Sequence, residues 1–557
     1  MRPVYARTTL ELHKGKSMDR RRFLKCATLA AATTQLPSAR ADSKQHASTS
    51  RLTILDYDLL ERYVEQFNRA DEEIYRQHVP NESAFEFLRG NVPLLDCPDK
   101  NVERTFHFRW WTLRKHVKKT PEGFVITEFL PDVSWARKYN TISCPAGHHF
   151  YEGRWIHNTR YLDDYARFWF YGGGSPRNYS FWAADAMYAR YLADGREDFV
   201  TGLLDGLIAN YKAWGKSRLH ESGLFWQIDD RDGMEMSISG HGLRPTINSY
   251  MYGGSVAIAR IAELAGEREL ADEYRSKAAR IKRLSHEKLW HSEHRFFEVR
   301  KRKSDRLADV RELLGYTPWY FNMPEPRCSV AWKHLMDPEG FHAPYGPTTA
   351  EQRHPGFKVS YRGHACQWNG PSWPYATSQT LTALANLLNN YDQDVLTKRD
   401  YARTLLTYAR SHTLERRYGQ VVPWIDENLN PYTRDWIART RHMGRWGQRW
   451  PDHADYRERG KAYNHSSFCD LVITGLLGLR PRADKVVEVN PLLPEGWWRY
   501  FCLDNVPYHG HALTILWDKT GERYGRGKGL HVYADGTEIA SSETMSKVQG
   551  ILPTDTG

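Results

Sequence analysis

Apolar residues recur at spacings of three and four along most of the chain from residue 55 onward. This spacing places them on one face of an α-helix, so it predicts a series of amphipathic helices. The predicted helices are 56–78, 101–117, 160–171, 179–194, 196–214, 248–265, 268–287, 327–336, 373–390, 397–412 and 465–478. The body of the protein is therefore predicted to be all-α.

Short polar turns join several of these helices in pairs. Examples are Asp194-Gly195-Arg196 and Gly266-Glu267-Arg268, and each predicts an antiparallel helical hairpin. Long loops rich in Trp, Gly and Pro separate the helices on the alternate side. Hairpins with elaborated loops at one end favour a closed α/α toroid, which we predict for residues 55–482.

The pattern changes after Arg482 to short β-like segments split by Pro and Gly, at 485–489, 500–503, 512–516 and 530–534. We expect a small β domain at 483–540, appended to the helical body. Residues 42–54 are expected to form a linker, and 541–557 a tail without regular structure.

Composition narrows the class of protein. The mean hydropathy is -0.68, and no stretch approaches the roughly 20 apolar residues that span a membrane. The chain has 78 Lys and Arg against 67 Asp and Glu, but nine of these bases and two of these acids lie in residues 1–41. The nearly balanced remainder, 69 against 65, argues against a nucleic-acid partner. We expect a soluble globular chain with no obligate protein partner.

The N-terminus has the features of an export signal. Ser17 to Lys25 contains Arg20-Arg21-Arg22 and resembles a twin-arginine motif; a weakly apolar stretch and the small-residue site Ala39-Arg40-Ala41 follow. The alternative is a basic N-terminal helix with no targeting role. We predict a twin-arginine signal peptide at 1–41 and a periplasmic or secreted product.

The cysteines give no metal or redox motif. Outside the predicted signal there are six, widely scattered, with no CxxC and no His/Cys metal spacing. Buried free thiols are the simplest interpretation, although an oxidising compartment would permit disulfides. We expect no metal ion and no organic cofactor.

The 20 Trp residues fall mostly in predicted loops, next to Arg, Asn, Asp and His. Indole faces stack on the C–H face of a sugar ring while polar neighbours bind its hydroxyls; each Trp could instead plug an end of the toroid. The candidate substrate-binding residues are Arg109, Trp110, Trp111, Arg154, Trp155, Trp182, Asp185, Trp226, Arg231, Trp368, Trp373 and His465.

Two acidic stretches could supply the catalytic groups. The first holds four carboxylates in seven residues, Asp229 to Glu235, among Trp, Ile and Met; crowding of this kind favours one carboxyl with a raised pKa, as a general acid requires. A solvated loop is the alternative, and the spacing does not fit an EF-hand. The second is Asp426-Glu427 in an aromatic loop. Two carboxylates from distant loops are the arrangement that glycoside hydrolysis needs.

Three segments resemble the six-hairpin glycosidases, specifically the clan of glycoside hydrolase family 63, mannosylglycerate hydrolase and trehalase. Cys366 to Pro374 is similar to that clan's Trp-x-Gly-Pro-x-Trp-Pro element, in which Gly370 falls. Trp424 to Thr433 is similar to the segment of the general base, which implies that role for Glu427. Asp232 to Ser237 resembles the general-acid segment.

The acid segment departs from the clan's pattern, because Glu235 stands where the clan has Asp. The longer side chain can serve only if the backbone stands back, so Asp232 remains the competing assignment. The segment holding Arg244 and Asn248 takes the place of a substrate-facing helix in the clan, and both are candidate substrate-binding residues. The resemblance implies an (α/α)6 toroid and an inverting reaction.

The predicted function is an exported, inverting exo-glycosidase acting on oligosaccharides or polysaccharides. A polysaccharide lyase on the same toroid is a second possibility, with His148, His149, Tyr463 and His465 as proton-transfer candidates. A glycan-binding toroid without catalysis is a third, although such a protein would be expected to have lost one of the acids. Sugar, linkage and oligomeric state are left open.

Overall fold

Buried helices form the centre of the protein, in a computed structural model that describes residues 54–416, 419–442 and 458–554. Residues 1–53 lie outside this part, so the twin-arginine signal and most of the linker stay predictions. The helices are α1 Asp58–Ala70, α2 Ala84–Arg89, α3 Lys100–His116, α4 Ala146–Gly153, α5 Arg160–Phe170, α6 Ala183–Asp194, α7 Glu197–Thr201, α8 Leu204–Arg218, α9 Pro245–Leu264, α10 Arg268–Leu289, α11 Thr317–Tyr320, α12 Pro374–Asn390, α13 Lys398–Ser411, α14 Ile437–His442 and α15 Phe468–Asp470.

The helices differ in how many of their faces are buried. In α9 and α12 nearly every residue of the first four turns is buried, whereas α10 and α13 bury one face and expose the other. The buried residues of α10, which include Ala271, Tyr274, Ala278 and Ile281, keep the spacing of three and four that predicted this helix. The pairs α9–α10 and α12–α13 pack together, so inner helices are covered by outer ones.

The turn between α9 and α10 shows why the sequence predicted a hairpin there. Gly266 has a φ of 78°, a left-handed conformation that glycine adopts without steric cost. The chain reverses over Ala265 to Glu267, and α10 returns along α9. Two predicted helices differ in type: 327–336 is a 3₁₀ helix, Pro326–His334, and 465–478 contains a π-helical turn, Leu471–Leu476.

Two small sheets form the C-terminal part. The strands of the described residues, in chain order and including those of the helical body, are β1 Leu94–Asp96, β2 Val117–Thr120, β3 Gly123–Ile126, β4 Trp290–His291, β5 Phe296–Phe297, β6 Thr413–Glu415, β7 Val421–Pro423, β8 Leu479–Arg480, β9 Val486–Val489, β10 Tyr500–Tyr508, β11 His511–Asp518, β12 Gly529–Ala534, β13 Thr537–Ser542 and β14 Val548–Ile551. One sheet has the order β1-β10-β11-β12-β13 and the other β14-β9-β8; β2–β3, β4–β5 and β6–β7 are hairpins.

The structure corrects the expected boundaries of the β domain. Residues 541–557 were expected to lack regular structure, but β14 pairs with β9, Val548 opposite Val489. At the other end β1 joins the five-stranded sheet through Leu95 opposite Leu503, so a segment far upstream completes it. The sheet is therefore tied to the helical body. No helix among the described residues meets the length and apolarity that a membrane crossing requires.

Candidate active site

The loop that carries Glu235 is organised by a buried ion pair. Arg244, at the start of α9, donates from Nε to Oδ2 of Asp232 at 2.6 Å, and both side chains are fully buried. The same guanidinium also donates to the backbone oxygen of Gly240 and to Oγ of Ser237. The Thr246 hydroxyl donates to Asp232 as well. Arg244 thus binds both ends of the loop from Asp232 to Gly240, which is called the acid loop below.

Backbone conformation then turns Glu235 away from that ion pair. Gly233 has a φ of 71°, and a Cβ there would meet Sγ of Cys144 at 2.4 Å, so glycine is required at this position. Met236, directly after Glu235, also has a positive φ, of 66°. Beyond it, the buried Glu312 accepts hydrogen bonds from the backbone N–H of Ile238 and Ser239. The loop is fixed on both sides of Glu235.

Glu427 is held by a second set of contacts. Its backbone N–H donates to Oδ1 of Asp426 at 2.8 Å, and its Oε1 accepts a hydrogen bond from the Arg459 guanidinium. The thiol of Cys366 lies 3.6 Å from Oε2. The loop that carries Glu427 is joined to the segment Cys366 to Pro374, which contains Trp368 and Trp373, by backbone hydrogen bonds in both directions between Ser372 and Leu429. This carboxylate therefore has a fixed position and a positive partner.

Glu235 and Glu427 line one cavity of about 270 Å³. That volume is many times the roughly 10–15 Å³ that one water molecule needs, so the cavity has room for a ligand as large as a sugar ring. The residues around it are Glu128, Phe129, Trp135, Ile142, Cys144, Tyr179, Asp230, Arg231, Gly233, Glu235, His364, Cys366, Trp368, Trp373, Tyr375, Glu427, Arg459, Tyr463 and His465.

Two carboxyl groups of the cavity are strongly perturbed. Burial, together with the negative charges of Asp230 and Glu427, raises the pKa of Glu235 to about 8. Burial likewise raises the pKa of Glu128 to about 8, although the hydrogen bond from the Tyr463 hydroxyl, 2.7 Å, acts in the opposite direction. Both groups thus keep a proton at neutral pH. The charge of Glu427 raises the pKa of both Glu128 and Glu235, so the three carboxyl groups interact electrostatically.

Aromatic rings form much of the remaining wall. The indoles of Trp368 and Trp373 stack with their centroids 4.6 Å apart, and the Trp373 N–H donates to the backbone oxygen of Gln367. Arg231 lies over the ring of Tyr179 at 5.1 Å. His465 contributes a buried imidazole whose pKa burial holds well below its usual value, so the ring is neutral. Such a wall can contact a sugar face and its hydroxyls.

Of the residues singled out in the sequence, the structure brings six to this cavity: Glu235, Glu427, Arg231, Trp368, Trp373 and His465. The other twelve lie elsewhere. Their surroundings show what each side chain does instead.

Four of these twelve hold loops next to the cavity. Asp232 and Arg244 form an ion pair within the loop that carries Glu235, and neither lines the cavity. Asn248 exchanges hydrogen bonds with the backbone N–H and C=O of Phe225, which fixes the preceding loop. At Gly370 a Cβ would meet the backbone oxygen of Lys358 at 2.3 Å, so this glycine allows a close approach of two chain segments.

Three predicted sugar-binding residues are instead bound to the protein itself. Arg154 and Trp155 both donate to Oδ1 of Asp470, at 2.7 to 2.9 Å. Arg109 donates to Oγ and to the backbone oxygen of Ser466. Because these polar groups are buried and partnered, they hold α15 against α3 and α4 rather than face a ligand.

Four Trp and one Asp belong to packing contacts. Trp110 and Trp111 are buried in α3, and the Trp111 N–H donates to Asn68. Trp182 packs edge-on against His148, with ring centroids 5.0 Å apart. The remaining two are Trp226, whose ring lies 3.9 Å from the Arg302 guanidinium carbon, and Asp185, which accepts the Tyr151 hydroxyl at 2.7 Å.

Sequence reasoning missed several residues of the cavity, above all Glu128 and Arg459. Glu128 follows β3 in a segment with no recognisable motif, and Arg459 lies 32 positions after its partner Glu427. The sequence signal nearest to this pair is Tyr463, a proton-transfer candidate in the lyase hypothesis. Its hydroxyl donates to Glu128.

Comparison with solved structures gives one near match and more distant ones. A protein described as a sialidase is 44% identical with a TM-score of 0.83, over 90% of this chain and 45% of that chain. A GH63 mannosylglycerate hydrolase from Thermus thermophilus, in complex with Tris and D-glycerate, is 13% identical, with a TM-score of 0.47, over 66% and 100%. A GH78 rhamnosidase of a Bacillus species is 14% identical, TM-score 0.49, over 76% and 40%.

The chain thus spans about half the length of the protein described as a sialidase. Comparison with family models gives two matches. The model of the C-terminal domain of glycosyl hydrolase family 65 matches residues 479–540. The model of the mannosylglycerate hydrolase MGH1-like glycoside hydrolase domain matches residues 138–466, more than half of the chain, and this range includes Glu235 and Glu427. The protein therefore belongs to the mannosylglycerate hydrolase MGH1-like glycoside hydrolase family.

Proposed function

We propose that this cavity hydrolyses a glycosidic bond with inversion of configuration, with Glu235 as the general acid and Glu427 as the general base. The observation that carries the proposal is the placement of a protonated and an ion-paired carboxyl group in one cavity lined by aromatic rings. An inverting glycosidase needs this pair, with its carboxyls about 6.5–9.5 Å apart so that a water fits between sugar and base.

Glu235 is suited to the acid role because burial keeps its proton in place. With a pKa of about 8, the side chain is protonated at neutral pH and can donate to the glycosidic oxygen as the bond to the anomeric carbon breaks. The electron pair of that bond leaves with the oxygen, and the donated proton neutralises it. Asp232 does not compete for this role, since Arg244 and Thr246 occupy one of its oxygens and it does not line the cavity.

Glu427 is suited to the base role because Arg459 pairs with it as a carboxylate. A water on the opposite face of the sugar attacks the anomeric carbon and transfers its proton to Glu427. The hydrogen bond from Arg459 to Oε1 and the contact of Cys366 with Oε2 orient the carboxylate. After product release, the proton passes to solvent and Glu235 is reprotonated.

The proposed substrate is a neutral sugar at the end of an oligosaccharide or polysaccharide chain. The cavity can admit a sugar ring, and removal of terminal residues from an oligosaccharide or polysaccharide is the reaction proposed for it. A sialic acid, as the 44% identical relative's description would suggest, carries a carboxylate, which needs an excess of cations. Among the residues that the structure describes, the lining holds two Arg, and one of them is already paired with Glu427, against four acidic residues. The match covers 45% of that relative.

We also propose that the helical hairpins close into an (α/α)6 toroid and that the protein is exported to the periplasm or beyond. The covering of inner helices by outer ones supports the first proposal. The Arg20-Arg21-Arg22 sequence supports the second. Changing these three residues together to Lys should leave the enzyme in the cytoplasm, measured as activity in periplasmic and cytoplasmic fractions. Unchanged periplasmic activity in the triple variant would refute export by this route.

The stereochemistry of the reaction tests the proposed mechanism. Unactivated plant and microbial oligosaccharides are screened for released monosaccharide, and the first anomer formed is then followed by proton NMR. We expect inversion, with the opposite anomer appearing before mutarotation. Retention would contradict the assignment of Glu427 as base to a water. Release of an unsaturated uronate in place of reducing sugar would identify a lyase instead.

A further inference from the structure

Two histidines and an aspartate meet at the β4–β5 hairpin, within the described residues and apart from the cavity. His291 ends β4, His294 lies in the turn, and Asp309 is an exposed residue of a later loop. One potential ligand atom of each lies within 4.8 Å of the other two. The imidazole rings are nearly parallel, with centroids 4.0 Å apart and an angle of 11°. Nε2 of His294 lies 3.2 Å from Oδ1 of Asp309.

A buried carboxylate holds two of these three residues in place. Oε1 of Glu298 lies 2.5 Å from Nδ1 of His294, and Oε2 accepts the backbone N–H of Asp309 at 3.0 Å. The Glu298 side chain is fully buried. A carboxylate bound to one nitrogen of a histidine directs the other nitrogen outward, which is the common arrangement behind metal-ligating histidines. The nearby Arg311 has its charge paired with Glu351 at 2.8 Å.

We propose that His291, His294 and Asp309 bind a divalent transition-metal ion, with Zn²⁺ as the best fit. Zn²⁺ takes imidazole and carboxylate ligands at about 2.0–2.2 Å in a tetrahedron, whose ligand atoms are then about 3.3 Å apart. The His294–Asp309 distance of 3.2 Å already has this value. A water would take the fourth position. Glu298 and Asp309 place two carboxyl groups next to the proposed ion.

No metal ion was predicted from the sequence, because the chain has no CxxC and no His/Cys metal spacing. His291 and His294 are close in sequence, but the third ligand is fifteen positions further on, and Glu298 is recognisable only through its contacts. The fold therefore assembles a site that spacing alone does not indicate.

The metal would stiffen the segment on which the acid loop rests. Between Glu298 and Asp309, Arg300 exchanges two backbone hydrogen bonds with Leu243, and Lys301 donates to the backbone oxygen of Ser239. Joining Asp309 to the β4–β5 hairpin closes this segment into a loop fixed at both ends. A bound ion that favours the folded state raises the melting temperature. The role is structural and leaves the proposed chemistry at Glu235 and Glu427 unchanged.

Zinc titration of the purified, tag-free, chelator-treated protein tests this site by isothermal calorimetry, with the melting temperature as a second readout. We expect one Zn²⁺ bound per chain at this site and a higher melting temperature with Zn²⁺. Asp309→Asn should weaken binding at least tenfold. The variant should still fold, because Asp309 is exposed and has a φ of 58°, a conformation that Asn tolerates.

His294→Gln should weaken zinc binding as strongly as Asp309→Asn, whereas His342→Ala, at an exposed histidine outside the cluster, should bind as the wild type does. Absence of zinc binding in the wild type would overturn the proposal. So would unchanged affinity in both Asp309→Asn and His294→Gln, since any binding would then occur elsewhere in the chain.

Discussion

Asp232 and Glu235 lie three residues apart in the same loop, yet only Glu235 lines the cavity. The sequence could identify this acidic stretch but could not separate the two roles, because spacing does not reveal which carboxyl meets Arg244. For the same reason Arg154 was predicted to bind sugar, although its charge is taken up by Asp470. At the scale of the residue, the role of a charged side chain depends on the residue that it pairs with. A sequence motif does not show a pairing residue that is distant in the sequence.

The ion pair of Asp232 with Arg244 gives the first prediction. Asp232→Asn should lower the free energy of unfolding by about 3–5 kcal/mol, because it leaves a buried guanidinium without its counter-charge. Activity should fall equally on activated and natural substrates, since the whole acid loop is displaced. Urea unfolding and steady-state kinetics measure the two effects. Asp230→Asn is the stability control, because that side chain is 45% exposed. A stability loss below about 1 kcal/mol would contradict the positioning role.

The raised pKa of Glu128 predicts how stability depends on pH. Glu128 has a pKa of about 8 in the folded protein and about 4.3 when unfolded. Between these values the folded state holds a proton that the unfolded state has lost, so the free energy of unfolding falls as pH rises. The slope from one such group is at most about 1.4 kcal/mol per pH unit.

Glu128→Gln removes this titration while its carbonyl can still accept the Tyr463 hydroxyl. The difference in free energy of unfolding, variant minus wild type, should therefore be more favourable to the variant at pH 8 than at pH 5. Urea unfolding across this range measures the difference, with Glu495→Gln, an exposed position, as control. A pH dependence identical to that of the wild type would show that Glu128 does not hold a proton in the folded state.

At the scale of the element, periodicity predicted α10 and α13 to within two residues, because each buries one face. It could not distinguish the 3₁₀ helix Pro326–His334 from an α-helix. There Cys328, Ala331 and His334 are buried at intervals of three, the period of a 3₁₀ helix, and nine residues are too few to separate 3.0 from 3.6. Strand β14 was missed because four residues between polar segments carry little pattern, and its pairing with β9 is a tertiary effect.

Strand β14 gives a prediction about the C-terminal segment. Val548 faces the core and Ile551 is 70% exposed on the same strand. Val548→Asp should destabilise the protein by at least about 2 kcal/mol, since it removes a buried apolar side chain and buries a charge. Ile551→Asp should change stability by less than about 0.5 kcal/mol. Thermal unfolding of the two variants compares them directly; equal effects would mean that β14 does not pack as described.

At the scale of the whole molecule, the cavity is built from chain segments that lie far apart in sequence, from Glu128 to His465. The segments that resemble a known family, around Glu235, Trp368 and Glu427, could be predicted because their residues stand in recognisable order. Glu128 and Arg459 could not, since their contacts with Tyr463 and Glu427 respectively join positions far apart in the sequence. The helical fold could be predicted from periodicity, whereas the composition of the cavity depends on how the helices bring their loops together.

The leaving-group dependence of Glu235→Gln tests the central claim most directly. The values of kcat/KM are measured for wild type and variant on a natural oligosaccharide and on a dinitrophenyl glycoside of the same sugar. Dinitrophenolate leaves without protonation, so the account predicts a loss of about 10²–10⁴-fold on the oligosaccharide and a far smaller loss on the activated substrate. Equal losses on both substrates would contradict Glu235 as the general acid.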